Sequence, residues 1–406
     1  MSHATDTSFW AKNRNVFVLM IAQACYLSCS MTLVTFAGLA GEVLATNKAF
    51  ATLPLSLVVL STALSTGPMS MLMQRRSRRF GFRLGAVAGV AAALVAAYGV
   101  YSANFILLCL GALFFGPFQS SAQYYRFAAA ESVESSGAAR AISLVLVGGL
   151  IGALIAPSLT RWFNDVFLPF NFLGAFIFTG LVSALVLIPA ALFRPLEKPF
   201  VAGTDAEPED KGRPLSVILR TPTFVVAVLN AALGFAMMSF VMTATPLAMK
   251  ACGLLGQSPT VIQGHVIAMF LPSLFTGSLI QRFGILPILL MGHACFALAF
   301  LTALSGIEIM NFSVALIALG LGWNFCFVGG STLLTKVHTE AEKGRVQGLN
   351  EFIVFATTAT ASLSAGVILE HFGWRLVNQS AFVMLVIAAG VTILWGLAGL
   401  RKPAAQ

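Results

Sequence analysis

Eleven stretches of the chain contain no Asp, Glu, Lys or Arg: 15–41, 49–74, 84–125, 141–160, 166–193, 221–249, 251–281, 283–307, 309–335, 352–369 and 376–400. A helix crosses the hydrocarbon core of a bilayer with about 20 mostly apolar residues. Ten of the runs hold one crossing each. The run 84–125 is 42 residues long and is interrupted by Tyr101, Ser102, Ala103 and Asn104, so it holds two. The chain is therefore predicted to be an all-α membrane protein of twelve transmembrane helices. A membrane barrel would instead show short segments of alternating polarity. Composition agrees: 58% of the residues are hydrophobic, 10% are charged, and the mean hydropathy is +0.88. Soluble domains carry about 25% charged residues, so a soluble enzyme, a nucleic-acid-binding domain and a disordered scaffold are excluded. The polar first 14 residues run straight into 27 uncharged ones, too long a run for a signal-peptide core, and are read as leading into a retained first span.

The net charge of +9 looks at first like a nucleic-acid footprint, but the position of the cations decides otherwise. With the N-terminus inside, 20 of the 24 Lys and Arg residues fall on the inner side, and only Lys48, Arg161, Lys250 and Arg375 fall outside. This asymmetry is the positive-inside signal. It puts both termini in the cytoplasm and fits a bacterial inner membrane. The six cysteines lie in or at the ends of apolar runs without a CxxC, and are read as small packing residues.

Residues 194–220 form the longest polar stretch, rich in Pro, Gly and mixed charge, and are predicted to be a cytoplasmic central loop. The loop separates two predicted six-helix bundles, 1–193 and 221–406. An internal repeat supports the division. The segment from Pro68 to Gly81 aligns with that from Pro272 to Gly284, and Phe105-ILLCLGALFFG aligns with Phe312-SVALIALGLGW. Each copy is followed by a loop running from glutamate to arginine, Glu134 to Arg140 and Glu340 to Arg345. On these features the chain resembles the major facilitator superfamily of secondary transporters. The family's loop motif reads roughly GxLaDRxGRR; the second copy keeps Gly277, Leu279, Arg282 and Gly284, with Gln281 at the Asp position. The first copy is read with Arg78 at that position. Both departures remove the acidic member of the family's usual loop salt-bridge network. A fainter resemblance, in QYYRFAAAE and WNFCFVGGSTLL, points to the bacterial branch that includes riboflavin importers.

The resemblance implies that spans 1, 4, 7 and 10 line a central cavity. Polar groups inside a bilayer are costly and need a partner or a role. Span 1 offers Gln23 and Tyr26, span 4 Gln119 and Gln123, span 7 Asn230, and span 10 Trp323, Asn324 and Phe327. Aromatic faces with amide donors and acceptors suit a planar, uncharged solute. For each amide the competing reading is interhelical hydrogen bonding. His265 and His293 are read as packed or hydrogen-bonded rather than metal ligands. Glu351 is the carboxylate expected deepest in the bilayer, about 9 Å beyond Arg345 along a helix, and is the candidate proton-coupling group. Its expected partner is Arg126 or Arg345, which are the candidate gate residues.

Three function classes follow. The first is alternating-access transport of a small organic solute, with protons as coupling ion. Uptake is favoured over drug or metabolite efflux, because the glycine-rich span-5 motif of the family's antiporters is only partial at Gly148-GLIGALIAP157 and an arginine within span 4 is missing. The lack of central charge argues against strong anions, and riboflavin or a similar planar vitamin fits. The second is a membrane enzyme, for which Ser331 and His338 are the only nucleophile-like pair; it is rejected. The third is a non-transporting sensor or scaffold. No cofactor, metal or nucleic acid is expected, and the chain is expected to work as a monomer in the lipid bilayer.

Overall fold

The computed structural model describes residues 6–47, 50, 53–194 and 212–400. Most of the predicted central loop, 195–211, lies outside the described residues, as do Lys48, Arg401 and Lys402 among the cations behind the predicted orientation. The described chain is helical, with no strand among the described residues. In order the helices are α1 (Asp6–Leu44), α2 (Leu53–Arg75), α3 (Arg78–Tyr101), α4 (Phe105–Gln123), α5 (Tyr125–Glu131), α6 (Ala138–Val166), α7 (Leu173–Leu185), α8 (Leu187–Leu192), α9 (Leu215–Leu219), α10 (Pro222–Ala251), α11 (Ser258–Phe270), α12 (Ser273–Phe283), α13 (Ile285–Ser305), α14 (Ile309–Leu334) and α15 (Lys343–Leu400). Eleven helical stretches are long and apolar enough to cross a membrane. The last, Lys343–Ala398, spans 56 residues. At 1.5 Å per residue that is ~84 Å, far more than the roughly 30 Å hydrocarbon core. The stretch bends at Gly373, whose φ of 77° and ψ of 175° interrupt the helix, and it therefore holds two crossings.

Local chemistry sets the breaks. The long run 84–125 is cut where expected: Ala103 takes a positive φ of 50°, and the Asn104 side chain accepts from the backbone N–H groups of Ile106 and Leu107 at 3.0 and 3.1 Å, starting α4. Ser77 starts α3 in the same way, accepting from Phe80 N at 3.1 Å. Glu308 and Asn311 form a reciprocal capping box at the start of α14.

The helices belong to two compact units. One comprises Met1–Ser135, Leu144–Gly212 and Thr339–Phe352; the other comprises Ser136–Ser143, Arg213–His338 and Ile353–Gln406. The first thus includes the opening turns of α15, and the second the opening turns of α6.

Inside each unit, small residues let backbones approach, the packing mode favoured where lipid removes the hydrophobic drive between helices. In the first unit α6 lies on α1: a Cβ at Gly148 would strike Met20 O, and one at Gly152 would strike Ala24 O. Thr32 and Thr160 hydroxyls meet across the same seam at 2.7 Å. In the second unit a Cβ at Gly277 would come 2.5 Å from Arg140 Cα, so α12 crosses the start of α6 backbone to backbone. Gly320 and Gly330 let α14 lie directly against carbonyls of His265 and Ala227, and α14 is buried almost continuously from Ala315 to Leu334.

Candidate functional site

The first unit carries a hydrogen-bonded polar chain through its apolar interior. It starts on α1 at Tyr26, 4% exposed, whose ring meets Phe118 edge-on at 5.8 Å. Gln123 Nε2 donates to Tyr26 Oη at 3.2 Å. The helix breaks after Gln123 at Tyr124, and the break turns Arg126 back onto the end of α4. Arg126 Nη1 then donates to the Gln123 carbonyl at 2.7 Å and its Oε1 at 3.3 Å. Its Nη2 meets Glu351 Oε1 at 2.5 Å, in an ion pair whose side chains are 2% and 0% exposed. Asn350 Nδ2 donates to the same carboxylate oxygen at 2.7 Å. Glu351 Oε2 is buried with no hydrogen-bond partner among the described residues. A buried pair of this kind is worth little against an apolar replacement, but losing one member strands the other charge.

Four of the sequence-selected residues, Tyr26, Gln123, Arg126 and Glu351, thus form one connected chain. Gln23 is buried nearly one turn before Tyr26 on α1, and Gln119 is half-buried one turn before Gln123 on α4. Arg345 is exposed, and it shares with Glu342 the space beside Gly212. Of the two partners expected for Glu351, the structure pairs it with Arg126.

A second network in the same unit escaped the sequence reading. Arg78, 8% exposed, donates to both oxygens of Glu131, at 3.2 Å from Nε and 2.5 Å from Nη2, and also to Gln347 Oε1. Gln347 Nε2 donates to Glu131 Oε1 at 3.3 Å, and Lys343 Nζ lies 3.6 Å from Glu131 Oε2. Lys343, Gln347 and Glu351 are spaced one turn apart and form one stripe of α15. The signal for Glu131 was its place at the end of span 4, five residues after Arg126. The loop motif also needs correcting. Gln74, rather than Arg78, is the counterpart of Gln281: the two are 207 residues apart, the offset that separates Phe105 from Phe312. Gln74 Nε2 donates to Ala341 O at 2.8 Å in one unit, and Gln281 Nε2 to Ser136 O at 2.6 Å in the other. Each neutral amide holds the backbone leading into a helix, and Arg78 is free to take Glu131.

The second unit holds an aromatic cluster. Trp323, 3% exposed, stacks on Phe327 at 4.8 Å and 16°, and Phe235 and Phe270 meet it edge-on at 5.5 and 5.6 Å. Phe235 also touches Phe327 and Phe355. The indole N–H is buried without a partner among the described residues. The two asparagines act as ties between helices. Asn324 donates both amide hydrogens, to Met269 O at 2.7 Å and Ser273 Oγ at 2.6 Å, and accepts from Thr276 at 2.7 Å. Asn230 donates to Val226 O and to Thr392 Oγ1, both at 2.9 Å. Neither amide nitrogen retains a hydrogen for a solute. His265 Nδ1 lies 2.7 Å from Leu316 O, while His293 is buried with neither ring nitrogen partnered among the described residues.

Residues 19–270 and 256–406 match the sequence model of the Major Facilitator Superfamily. The chain is 41% identical over 389 residues to the riboflavin transporter RfnT of Brucella anthropi, covering 96% of this chain and 97% of that one. It is 28% identical over 403 residues to the uncharacterized MFS-type transporter YdeG of Bacillus subtilis, covering 94% and 90%. Among solved structures it resembles a bacterial homologue of the iron transporter ferroportin in an outward-facing state (TM-score 0.75, 14% identity, 94% of this chain and 99% of that). It also resembles the human organic anion transporter MFSD10 (TM-score 0.76, 14% identity, 94% and 99%). At such identities the two structures speak for the fold alone. The family model and the long match to RfnT carry the assignment: this chain belongs to the Major Facilitator Superfamily and is a multi-pass membrane transporter of a small-molecule substrate.

Proposed function

We propose that the chain takes up riboflavin, or a similar planar vitamin, across a bacterial inner membrane by alternating access, with 1–193 and 221–406 as its two bundles and both termini in the cytoplasm. The observation that carries the proposal is the 41% identity to a riboflavin transporter over 96% of the chain. The site chemistry supports it. A planar ring system gains area on Trp323 and Phe327, while Gln23, Tyr26, Gln119 and Gln123 supply uncharged donors and acceptors. Proton exchange at Glu351 couples transport to the gradient, and Arg126 holds the carboxylate between proton-binding events. The chain works as a monomer.

The test is uptake of labelled riboflavin by an auxotroph expressing the chain. Trp323→Ala raises the KM roughly tenfold, the loss of about 1.4 kcal/mol of aromatic contact, and Gln123→Ala weakens uptake too. Glu351→Gln abolishes sensitivity to a protonophore. Auxotroph growth that the chain does not change would remove riboflavin as the substrate. Labelled solute driven outward from loaded cells would replace uptake by efflux.

A further inference from the structure

Five arginines stand within nine residues where α2 turns into α3: Arg75, Arg76, Arg78, Arg79 and Arg83. Among the described residues only Arg78 of these meets a carboxylate. One of the others, Arg79, reaches the end of α8, where Arg194 also stands. Arg79 Nη2 donates to Ala191 O at 2.6 Å, while its Nε is buried with no partner. On α1, Asn15 donates to Arg194 O at 2.7 Å and accepts from Arg194 N at 3.1 Å. Its neighbour Arg14 has a buried Nη1, also with no partner among the described residues. Helices α1 and α3 therefore grip the same turn of backbone, Ala191–Arg194, and bring Arg14, Arg79 and Arg194 around it. Arg83 is exposed one turn beyond Arg79 on the same helix face.

The surroundings are apolar and open. Phe80 and Leu192 are 41% and 46% exposed, and the Arg76 guanidinium lies 5.7 Å over the Phe80 ring. Cations gathered at a span end need a counter-charge, and unpartnered guanidinium N–H groups need acceptors. A phosphodiester supplies both, because its oxygens match the guanidinium fork. A free phosphate would leave Phe80 and Leu192 uncovered, whereas acyl chains would lie on them. Basic pockets between membrane helices recognise lipid headgroups in this way.

We propose that Arg14, Arg79, Arg83 and Arg194 hold the phosphodiester headgroup of an anionic phospholipid at the junction of α1, α3 and α8. The site is independent of the transported solute and of the vitamin assignment. The full-length protein is placed in nanodiscs of phosphatidylcholine alone or mixed with phosphatidylglycerol, without substrate, and its thermal unfolding is followed. Lipid retained after detergent extraction is counted by native mass spectrometry. Phosphatidylglycerol raises the melting temperature and stays bound to the unaltered chain. Arg14→Gln with Arg79→Gln loses the rise and retains the lipid roughly 30-fold less well, about 1 kcal/mol for each arginine. Arg83→Gln alone, at an exposed position, shows a smaller loss in the same direction. Arg161→Gln, at the other end of the spans, behaves like the unaltered chain. The proposal is overturned if phosphatidylglycerol stabilises the double variant as much as the unaltered chain, or stabilises neither. Inorganic phosphate producing the same rise as the lipid would also overturn it.

Discussion

Arg126 and Glu351 place two opposite charges where neither meets water, at 2% and 0% exposure. Their value lies in being together: removing one partner of a buried pair costs about 3–5 kcal/mol, while replacing both with apolar groups is often neutral. Arg126→Met or Glu351→Leu alone is therefore expected to destabilise the protein strongly, and the double substitution to restore most of the loss. Thermal unfolding of the four proteins in one detergent measures the coupling, and additive losses would show that the pair does not act as a unit. Glu351 was legible as a candidate because it is a lone carboxylate entering an apolar run. Glu131 was not. Its burial is made by Arg78 and Gln347, 53 and 216 residues away in the chain. Asn230 and Asn324 carry the same lesson in reverse: an amide in a span reads alike whether it faces a solute or ties helices, and only Thr392, Met269 and Ser273 tell the two apart.

At the scale of helices, the crossings were legible because hydropathy is a local property and about 20 residues suffice to record it. Even the cut between α3 and α4 was marked, by Asn104. The helix pairings were only hinted at. Gly148, Gly152 and Ala156 stand four residues apart, a spacing that permits close helix contact, and the structure names the partner of the two glycines as α1. Gly148→Leu puts a side chain into the carbonyl of Met20 and forces the helices apart. A loss of about 1–3 kcal/mol is expected from overpacking, measured as a lower melting temperature. Gly253→Ala makes a poor control because its φ is 75°, whereas Gly366→Ala meets open space and should leave the melting temperature unchanged. The loop motif misled at this scale. Its first copy was anchored on arginines, the commonest residues there, when the contact that repeats is the amide of Gln74 and Gln281.

At the scale of the molecule, the repeat pointed to two bundles divided by the central loop, and compactness adds a grouping of two short segments on which the repeat is silent. Residues 339–352 belong to the first unit, and 136–143 to the second. That exchange is invisible to hydropathy, since it depends on where Lys343, Gln347 and Glu351 find their partners. It also bears on biogenesis. A ribosome that has finished residues 1–193 has inserted Arg126 and the Arg78–Glu131 pair, but has not yet made Glu351 or Gln347. The early product must hold the Arg126 guanidinium without its partner Glu351 until some 150 more residues emerge, and it is exposed to quality-control proteases during that wait. Two plasmids, one encoding 1–203 and one encoding Met plus 204–406, are expected to give stable protein together. The first fragment alone should be degraded, and Arg126→Met should lengthen its lifetime in a pulse-chase. A fragment that survives alone without that substitution would mean that the early half needs no help from the late one. On the expected outcome, the order of synthesis makes the last third of the chain a chaperone for the first.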